Sequence, residues 1–476
     1  MENNYKKPSL GVAVLSVLFL FAVLVIQVIV VGSPDIHLTL VFSIAFTTIL
    51  LLLTGTPWKA VEEGIMHGCK IATMPMMILM FIGMLIPTLI ACGTIPALIY
   101  YGLKIISPSI FLLTAALICS IASICTGSSW TTGGTFGVAF MGISMGLGIP
   151  LPITAGAVVS GAVIGDKLSP LSDSTNLAAG VTETNLFTHI RSMLFTTIPA
   201  FIISLIVYTI LGIKYSADSI DTTTVDQIMS GIAANFNISA GYVILALIPL
   251  AIIIFMAIKK IHALAAMVSA SLVAMFIAMI AQGYSIVEMM SFMNYGFTIE
   301  TGAVDVDSLL NRGGIQSMMW TLSLGYLGLS FGGILEISRI MERLIDSMSA
   351  LTNKARNLII THLISSIIVN FISASQYVAI IIPGRMYLPA YKKLGLRSDV
   401  ASRTTEDAGT VTSPLVPWGL CGVFFAGALG VATLDYLPYA ILCYATPLVA
   451  AFYAIINKFI WLEEPKEEDK KVLEAK

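Results

Sequence analysis

The sequence carries little charge and few signatures of a soluble enzyme. Asp, Glu, Lys and Arg make up 11% of its 476 residues, whereas they make up roughly 25% of a soluble domain. Hydrophobic residues make up 57% of the chain, and the mean hydropathy is +0.92. This composition excludes a soluble or fibrous protein and predicts a protein that resides in a lipid bilayer.

Cofactor and nucleotide motifs are missing as well. The six cysteines lie mostly within apolar runs and form no Cys-x-x-Cys pair, so we expect them to be small core residues. The sequence has no Gly-x-x-x-x-Gly-Lys-Ser/Thr motif and no basic stripe with interleaved aromatic residues. We therefore expect coupling to an ion gradient rather than to ATP, no cofactor, and no nucleic-acid partner.

Fourteen apolar segments approach the roughly 20 residues that a helix needs to cross a bilayer. Two of them, 153–186 and 401–432, are longer than a straight helix needs and are interrupted by polar residues and proline. The other twelve are 10–31, 36–54, 74–92, 109–125, 131–149, 191–213, 241–258, 262–281, 316–334, 357–373, 375–391 and 436–458. The predicted fold class is an all-α polytopic membrane protein with about 14 transmembrane segments and two broken helices.

The distribution of charge predicts the orientation of these segments, because Lys and Arg are enriched in cytoplasmic loops. The acidic loops 214–240 and 282–315 are assigned to the outside and most Lys and Arg residues to the inside, with Lys104 as the exception. Fourteen crossings with both termini in the cytoplasm satisfy this assignment. The expected location is the bacterial cell membrane.

Two halves of seven segments would have opposite orientations, since segment eight starts outside and segment one starts inside. Ser169-Pro170-Leu171 recurs 244 residues later as Ser413-Pro414-Leu415, and residues 92–106 resemble 332–345 at a similar offset. The alternative is that two apolar, Gly-rich halves resemble each other by composition. The predicted domains are a first inverted repeat (1–213), an external linker (214–240), a second inverted repeat (241–461) and a charged cytoplasmic tail (462–476).

The two interrupted segments contain the candidate binding residues. Carboxylates are costly in hydrocarbon and are retained there mainly for function, and paired broken helices indicate the binding site of a secondary transporter. In the first segment Pro170 disrupts the helix, which would free carbonyl oxygens beside hydroxyl and carboxylate groups that suit Na⁺. The candidate ligands are Asp166, Ser169, Asp173, Thr175 and Asn176.

Two neighbouring carboxylates repel each other, so we expect H⁺ to compete with Na⁺ for the same oxygens. Lys167 is a supporting residue that could instead pair with Asp166 or extend to an interface.

The second interrupted segment adds the candidates Asp407, Thr410 and Ser413. Glu406 is its supporting residue. Side chains of adjacent residues point about 100° apart on a helix, so we expect one of the two carboxylates to face the site and favour Asp407, which is closer to the break. The alternative is that both carboxylates cap a helix start.

A polar stretch precedes each break by some 35–45 residues and is predicted to form the tip of a hairpin near the site. The supporting residues on the two tips are Thr126, Ser128, Ser129, Asn370 and Ser373. For the Gly-rich first tip, the alternative is close helix packing.

Residues 165–178 strongly resemble the signature of the NhaC-type Na⁺/H⁺ antiporters, within a broader ion-transporter superfamily. Residues 126–150 and 406–418 are similar to the segments that accompany this signature. The resemblance implies exchange of cytoplasmic Na⁺, or Li⁺, for external H⁺. The family also includes exchangers of malate plus protons for lactate plus Na⁺, so a Na⁺/H⁺-coupled organic-acid antiporter is the alternative.

Rival functions of other classes are a passive ion channel and a membrane-embedded hydrolase. The chain has no Gly-x-Gly-Asp or His-Glu-x-x-His motif, so we do not expect an enzyme. Lys167 and Arg385 are the only basic candidates within the predicted core to bind a carboxylate, which favours inorganic ions. Na⁺, protons and the lipid bilayer are the expected partners, and a homodimer stays open.

Overall fold

We analysed a computed structural model that describes residues 5–31, 35–218, 222–259, 261–301, 306–307, 310–348 and 352–463. The described residues are helical, and the β-pairing among them is limited to an isolated bridge between Leu396 and Leu462. Ten described helices are long and apolar enough to cross a membrane, or up to twelve if each bent pair is one span. The all-α polytopic fold class is therefore confirmed.

The described residues of the first part contain ten α-helices with one π-helical stretch, Gly133–Gly137, between α6 and α7. They are α1 (Leu10–Val31), α2 (Ile36–Leu53), α3 (Trp58–Ala91), α4 (Thr94–Ile105), α5 (Pro108–Thr126), α6 (Ser129–Thr132), α7 (Val138–Gly146), α8 (Leu151–Leu168), α9 (Asp173–Val181) and α10 (Leu186–Asp218).

The described residues of the second part contain thirteen further α-helices. They are α11 (Thr222–Asn235), α12 (Ala240–Ala246), α13 (Ile248–Ile258), α14 (Ala263–Ile277), α15 (Ile286–Tyr295), α16 (Met319–Ile337), α17 (Ile340–Met348), α18 (Ala355–Ser373), α19 (Gln376–Lys393), α20 (Ser398–Gly409), α21 (Leu420–Leu429), α22 (Thr433–Tyr436) and α23 (Ile441–Ile455).

The third helix differs from its predicted span. It begins at Trp58 instead of residue 74 and runs for 34 residues. Its first turns carry Lys59, Glu62 and Glu63, which are exposed. These charges end the apolar run that marked the predicted span, but they do not end a helix, because Lys and Glu are good helix formers.

Helices α3 and α16 cross at very short range. A Cβ atom on Gly68 would lie 2.1 Å from the carbonyl oxygen of Leu329, and one on Gly333 would lie 2.1 Å from the carbonyl oxygen of Gly64. Any larger residue at these positions would push the two backbones apart. Small residues that allow such close approach are the usual basis of helix packing within membranes.

The helices recur at a constant spacing along the chain. The starts of α5, α6, α8 and α9 precede those of α18, α19, α20 and α21 by 247 residues in each case. The left-handed residues after α5 and α18, Gly127 (φ 72°) and Ala374 (φ 57°), have the same spacing. This differs from the offset of 244 between the Ser-Pro-Leu triplets, so the triplets do not occupy equivalent positions.

The broken helices lie at the centre of the molecule. Within the protein, 83% of α8 is buried, against 22% of residues 10–27 in α1. All twelve residues of α20 except Ser398 are buried, including its charged side chains. The centre of this membrane protein therefore contains polar and charged groups, while helices such as α1 expose apolar side chains to lipid.

Candidate functional site

The first break separates α8 from α9 over residues 169–172. Carbonyl groups at the end of α8 bind hydroxyl donors, since Ser174 Oγ and Thr175 Oγ1 donate to the carbonyl oxygen of Asp166 at 2.8 and 2.6 Å. Asn176 Nδ2 donates to two carbonyls within the break at 3.0 and 2.7 Å. Thr175 and Asn176 therefore hold the shape of the break.

The Asp166 carboxylate faces the first hairpin tip, residues 126–132. The backbone N–H of Ser129 donates to Asp166 Oδ1 at 2.9 Å, and Ser129 Oγ donates to Oδ2. Ser128 Oγ accepts from the Thr131 N–H at 3.2 Å and caps α6. The tip contacts the broken helix here, and the partner of Asp166 is Ser129 rather than Lys167.

A cavity of about 890 Å³ opens beside this break. Asp166 and Asp173 both line it, with Trp130, Tyr377 and His262 among the other lining residues. No Lys or Arg occurs among the lining residues that the structure describes. The field of two carboxylates in a cleft favours the entry of cations and opposes the entry of anions.

The two broken helices are joined by a buried ion pair. Lys167 Nζ of α8 binds Asp407 Oδ1 of α20, and both side chains have 0% relative exposure. Thr196 Oγ1 of α10 donates to the same oxygen at 2.8 Å. Asp407 Oδ2 has no partner among the described residues. The ion pair therefore links the first broken helix directly to Asp407 of the second.

The second break and its hairpin tip contain a group of buried oxygen atoms that lack hydrogen-bond partners. Asn370 Nδ2 donates to the carbonyl of Gly409 at 2.6 Å and to Thr412 Oγ1 at 3.0 Å, which leaves its oxygen unused. The atoms without a partner among the described residues are Asn370 Oδ1, Ser375 Oγ, Glu406 Oε1 and Oε2, Asp407 Oδ2, Thr410 Oγ1 and Ser413 Oγ.

This group is unusual because buried polar atoms in proteins normally have a hydrogen-bond partner. Its members are carboxylate, amide and hydroxyl oxygens, which are suitable ligands for a hard cation.

The roles of Glu406 and Asp407 differ in part from those predicted. Neither residue lines the cavity beside Asp166, and both are fully buried. They lie about two turns beyond Ser398, where α20 begins, so the alternative that they cap a helix start is wrong. Glu406 is therefore enclosed next to Asp407 inside α20 rather than placed at the end of a helix.

The structure separates some candidates that the sequence grouped together. Among the described residues, no cluster of three or more His, Cys, Asp or Glu side chains could hold a metal ion. Asp166 and Asp173 lie on the cavity side, while Asp407, Thr410 and Ser413 lie on the enclosed side. Ser373 is occupied in a turn, where its Oγ donates to the carbonyl of Ser375 at 3.1 Å.

Two contacts of the site were missed by sequence reasoning. Thr196 lies in a long apolar helix without any neighbouring motif, so no signal marked it as a partner of Asp407. Trp130 stacks on Phe424 of α21 with ring centroids 4.6 Å apart and planes 8° apart. This stack joins the first hairpin tip to the second broken helix, and the aromatic residue within the polar tip was its one visible signal.

The chain is similar to known proteins over nearly its whole length. The model of the Na⁺/H⁺ antiporter family matches residues 3–175 and 161–458. The chain is 35% identical over 453 residues to the Na⁺/H⁺ antiporter NhaC of Alkalihalophilus pseudofirmus, covering 95% of this chain and 96% of that protein.

Relatives with other named substrates are similar over comparable lengths. The malate-2H⁺/Na⁺-lactate antiporter of Bacillus subtilis is 38% identical over 448 residues, covering 94% of this chain and 95% of that protein. The arginine/ornithine antiporter ArcD of Halobacterium salinarum is 33% identical over 465 residues, covering 97% and 95%. The family match and the near full-length relatives show that the chain belongs to the Na⁺/H⁺ antiporter family.

Proposed function

We propose that the protein is a secondary active transporter that exchanges cytoplasmic Na⁺ for external H⁺ by alternating access. The observation that carries this proposal is the group of buried, unpartnered oxygens around the second break, next to the Lys167–Asp407 pair. An enclosed set of oxygen ligands beside the buried Lys167 ammonium suits the exchange of one cation for another.

Lys167 supplies the coupling between the two ions in this mechanism. Its ammonium balances the charge of Asp407 in a region with no exposure to solvent. A Na⁺ ion that replaces Lys167 at Asp407 leaves a buried ammonium without a counter-charge, which costs several kcal/mol. The site therefore loses a proton when Na⁺ binds, and a returning proton restores the pair and expels Na⁺.

The cavity side supplies the route to this site. Asp166 and Asp173 attract Na⁺ into the cavity, with the oxygens of Ser169, Thr175 and Asn176 as further ligands at the break. The ion then passes to Asp407, Thr410 and Ser413 on the enclosed side. Asp166 is adjacent in sequence to Lys167, so a cation bound at Asp166 would repel the ammonium from Asp407.

We propose that the conformation of this structure is open to the cytoplasm. The cavity extends to Ile261 and His262 between α13 and α14, and the neighbouring Lys259 marks this loop as cytoplasmic. In the alternate conformation, the same break would become accessible from the outside.

We also propose the predicted topology of fourteen crossings in two inverted repeats, 1–213 and 241–461, joined by an external linker. The constant spacing of 247 residues between corresponding helices supports it. The assignment of basic loops to the inside and of acidic loops to the outside supports it as well. Both termini would lie in the cytoplasm of a bacterial cell. The predicted tail, 462–476, falls mostly outside the described residues.

The protein is further proposed to act without a cofactor, an enzymatic step or a nucleic-acid partner. A homodimer is one candidate for its assembly.

The test is transport by purified protein in vesicles with an imposed proton gradient. Addition of Na⁺ at constant chloride should release protons from the acidic interior, and an outward Na⁺ gradient alone should drive protons inward. Movement of Na⁺ without uphill proton movement would identify a passive channel instead.

An organic-acid antiporter is the second candidate function. It is favoured by the cavity, whose volume of about 890 Å³ is far larger than one Na⁺ ion needs, and by the malate/lactate antiporter among the relatives. The two carboxylates in that cavity oppose it. In the same vesicles, proton movement that requires malate or lactate would decide for this candidate.

A further inference from the structure

A second polar cavity lies away from the broken-helix site. Its volume is about 450 Å³, and it is lined by the ends of α15 and α21, by Ile86 of α3 and by the loop around Arg312. Arg312 is the single charged residue among the lining residues that the structure describes. This composition is the reverse of the cavity beside Asp166, whose described lining residues include two carboxylates and no Lys or Arg.

The Arg312 side chain is half-buried and has no partner among the residues that the structure describes. It makes no ion pair or hydrogen bond with a described residue, and no described carboxylate offsets its charge. Guanidinium groups in proteins usually bind carboxylates or phosphates through a planar fork of donors. An unpartnered guanidinium directed into a cavity is therefore a feature that needs an explanation.

One explanation without a ligand is an interaction with the C-terminal end of α21. Arg312 Nη2 would lie 3.4 Å from a Cβ atom on Gly430, which ends that helix. The partial negative charge there gives typically 0.3–1 kcal/mol, but Arg312 donates no hydrogen bond to these carbonyls. The helix end accounts for the position of the side chain and leaves its donors available.

The loop that carries Arg312 is held in place. The Gly314 N–H donates to the carbonyl of Gly83 in α3 at 2.7 Å, and the Phe297 N–H donates to the carbonyl of Arg312 at 3.1 Å. Asn311 both accepts from and donates to the backbone of Ile299, at 2.7 and 3.0 Å. Arg312 is thus presented from a fixed backbone, as binding residues on ordered loops often are.

We infer that this cavity is a binding site for a small organic anion, with Arg312 binding its carboxylate. Ser317 and Thr321 supply hydroxyls near the carboxylate, and Ile86, Val138 and Met318 supply an apolar wall for a short carbon chain. The volume falls within the range of small-molecule sites. The inference goes beyond cation exchange and stands independently of it, because no residue is shared between the two cavities.

The experiment measures binding of L-malate, L-lactate and chloride to the full-length protein in lipid nanodiscs by calorimetry. Native protein should bind malate or lactate in preference to chloride. Arg312→Gln should weaken that binding at least tenfold, because it removes a charge-assisted pair. Arg312→Lys should weaken it less, since it keeps the charge but loses the fork. Arg191→Gln, an exposed arginine elsewhere, is the matched control and should bind normally.

Three outcomes would overturn the inference. Native protein could bind none of the three anions at tens of millimolar. Arg312→Gln could bind the carboxylates as well as native protein does. Chloride alone could bind and be lost in Arg312→Gln, which would assign an inorganic-anion site. Na⁺-driven proton release, measured on the same preparations with Na⁺ replacing choline at constant chloride, should be unchanged in Arg312→Gln and separates failure here from failure of cation exchange.

Discussion

The Lys167 ammonium lies against the Asp407 carboxylate, and both side chains have 0% exposure although 240 residues separate them. The pair joins the two broken helices. Its ammonium is also the positive charge that Na⁺ would replace in the proposed mechanism. Thr196 adds a hydrogen bond from a third helix. Stability and transport should therefore respond together when this pair is changed.

Lys167→Met should destabilise the protein by about 3–5 kcal/mol, because it leaves the Asp407 charge buried without a partner. The double variant Lys167→Met/Asp407→Asn should recover most of this loss, since neither member of the pair then carries a buried charge. Thermal unfolding in detergent measures both variants. Lys392→Met is the control, because it removes an exposed pair with Glu183 that should contribute at most about 1 kcal/mol. Equal effects of Lys167→Met and Lys392→Met would show that the buried pair has no special role.

Asp166→Asn should abolish Na⁺-coupled proton movement while the protein still inserts and folds. Asparagine keeps an acceptor for the Ser129 N–H, which now binds Asp166 Oδ1 at 2.9 Å, but it cannot carry the negative charge. Transport by purified protein in vesicles is the measurement, with Glu183→Gln, an exposed carboxylate, as the control. Near-normal exchange by Asp166→Asn would remove Asp166 from the transport site.

The positions of both breaks could be predicted because their signals are local. Proline and clustered hydroxyl residues in an apolar run interrupt a helix wherever they occur, and α8 does end at Leu168, directly before Ser169-Pro170. Ser413-Pro414 likewise lies between α20 and α21. The start of α3 was missed because the apolar run begins only after the charged residues of its first turns. The helix itself already begins at Trp58 and includes these charged turns.

The contacts across the breaks could not be predicted, because they depend on how distant segments pack. A single sequence does not indicate whether Lys167 pairs with its neighbour Asp166 or with Asp407. Thr196 is one threonine in an apolar helix, and the burial of Glu406 follows only from the helices packed around it. The inverted repeat stays a prediction, supported by spacing and loop charge.

The apparent affinity for Na⁺ should weaken as the pH falls. In the proposed mechanism each Na⁺ that binds at Asp407 displaces one proton from the site, so lower pH favours the proton-loaded form. Linkage of one proton to one Na⁺ predicts a change of up to about tenfold per pH unit. Na⁺ binding to purified protein, measured between about pH 6 and 9, provides the test. An affinity independent of pH would indicate separate sites for the two ions.

A second pH effect is expected at the surface network of α17. Glu342 accepts hydrogen bonds from Arg339 at 2.6 and 2.9 Å and pairs with Lys7 at 2.6 Å. These partners, Arg339 first, lower the pKa of Glu342 to about 2. A lowered pKa means that the stabilisation is complete above the unfolded value of about 4.3 and is lost as the pH falls towards the folded value.

Hydrogen exchange over residues 340–348 should report this network. Protection, corrected for intrinsic rates, should stay constant from neutral pH to about 4.5 and decline below it, by no more than about fivefold for an exposed network. Glu342→Gln should show the reduced protection already at neutral pH. Glu62→Gln, an exposed carboxylate on α3, is the control. Unchanged protection in Glu342→Gln would show that the network does not hold α17.

The two halves should have opposite orientations in the membrane. Helices α8 and α20 begin 247 residues apart, at Leu151 and Ser398, and the loop charges place the start of α8 outside and the start of α20 inside. In a variant without native cysteines, Pro150→Cys should react with an impermeant maleimide added to intact cells. Lys393→Cys should react only after the membrane is permeabilised. Both positions are exposed, so a difference reports sidedness rather than burial. Labelling of both from the same side would mean that the halves are not inverted. The proposal of one alternating site between two inverted repeats would then fail as well.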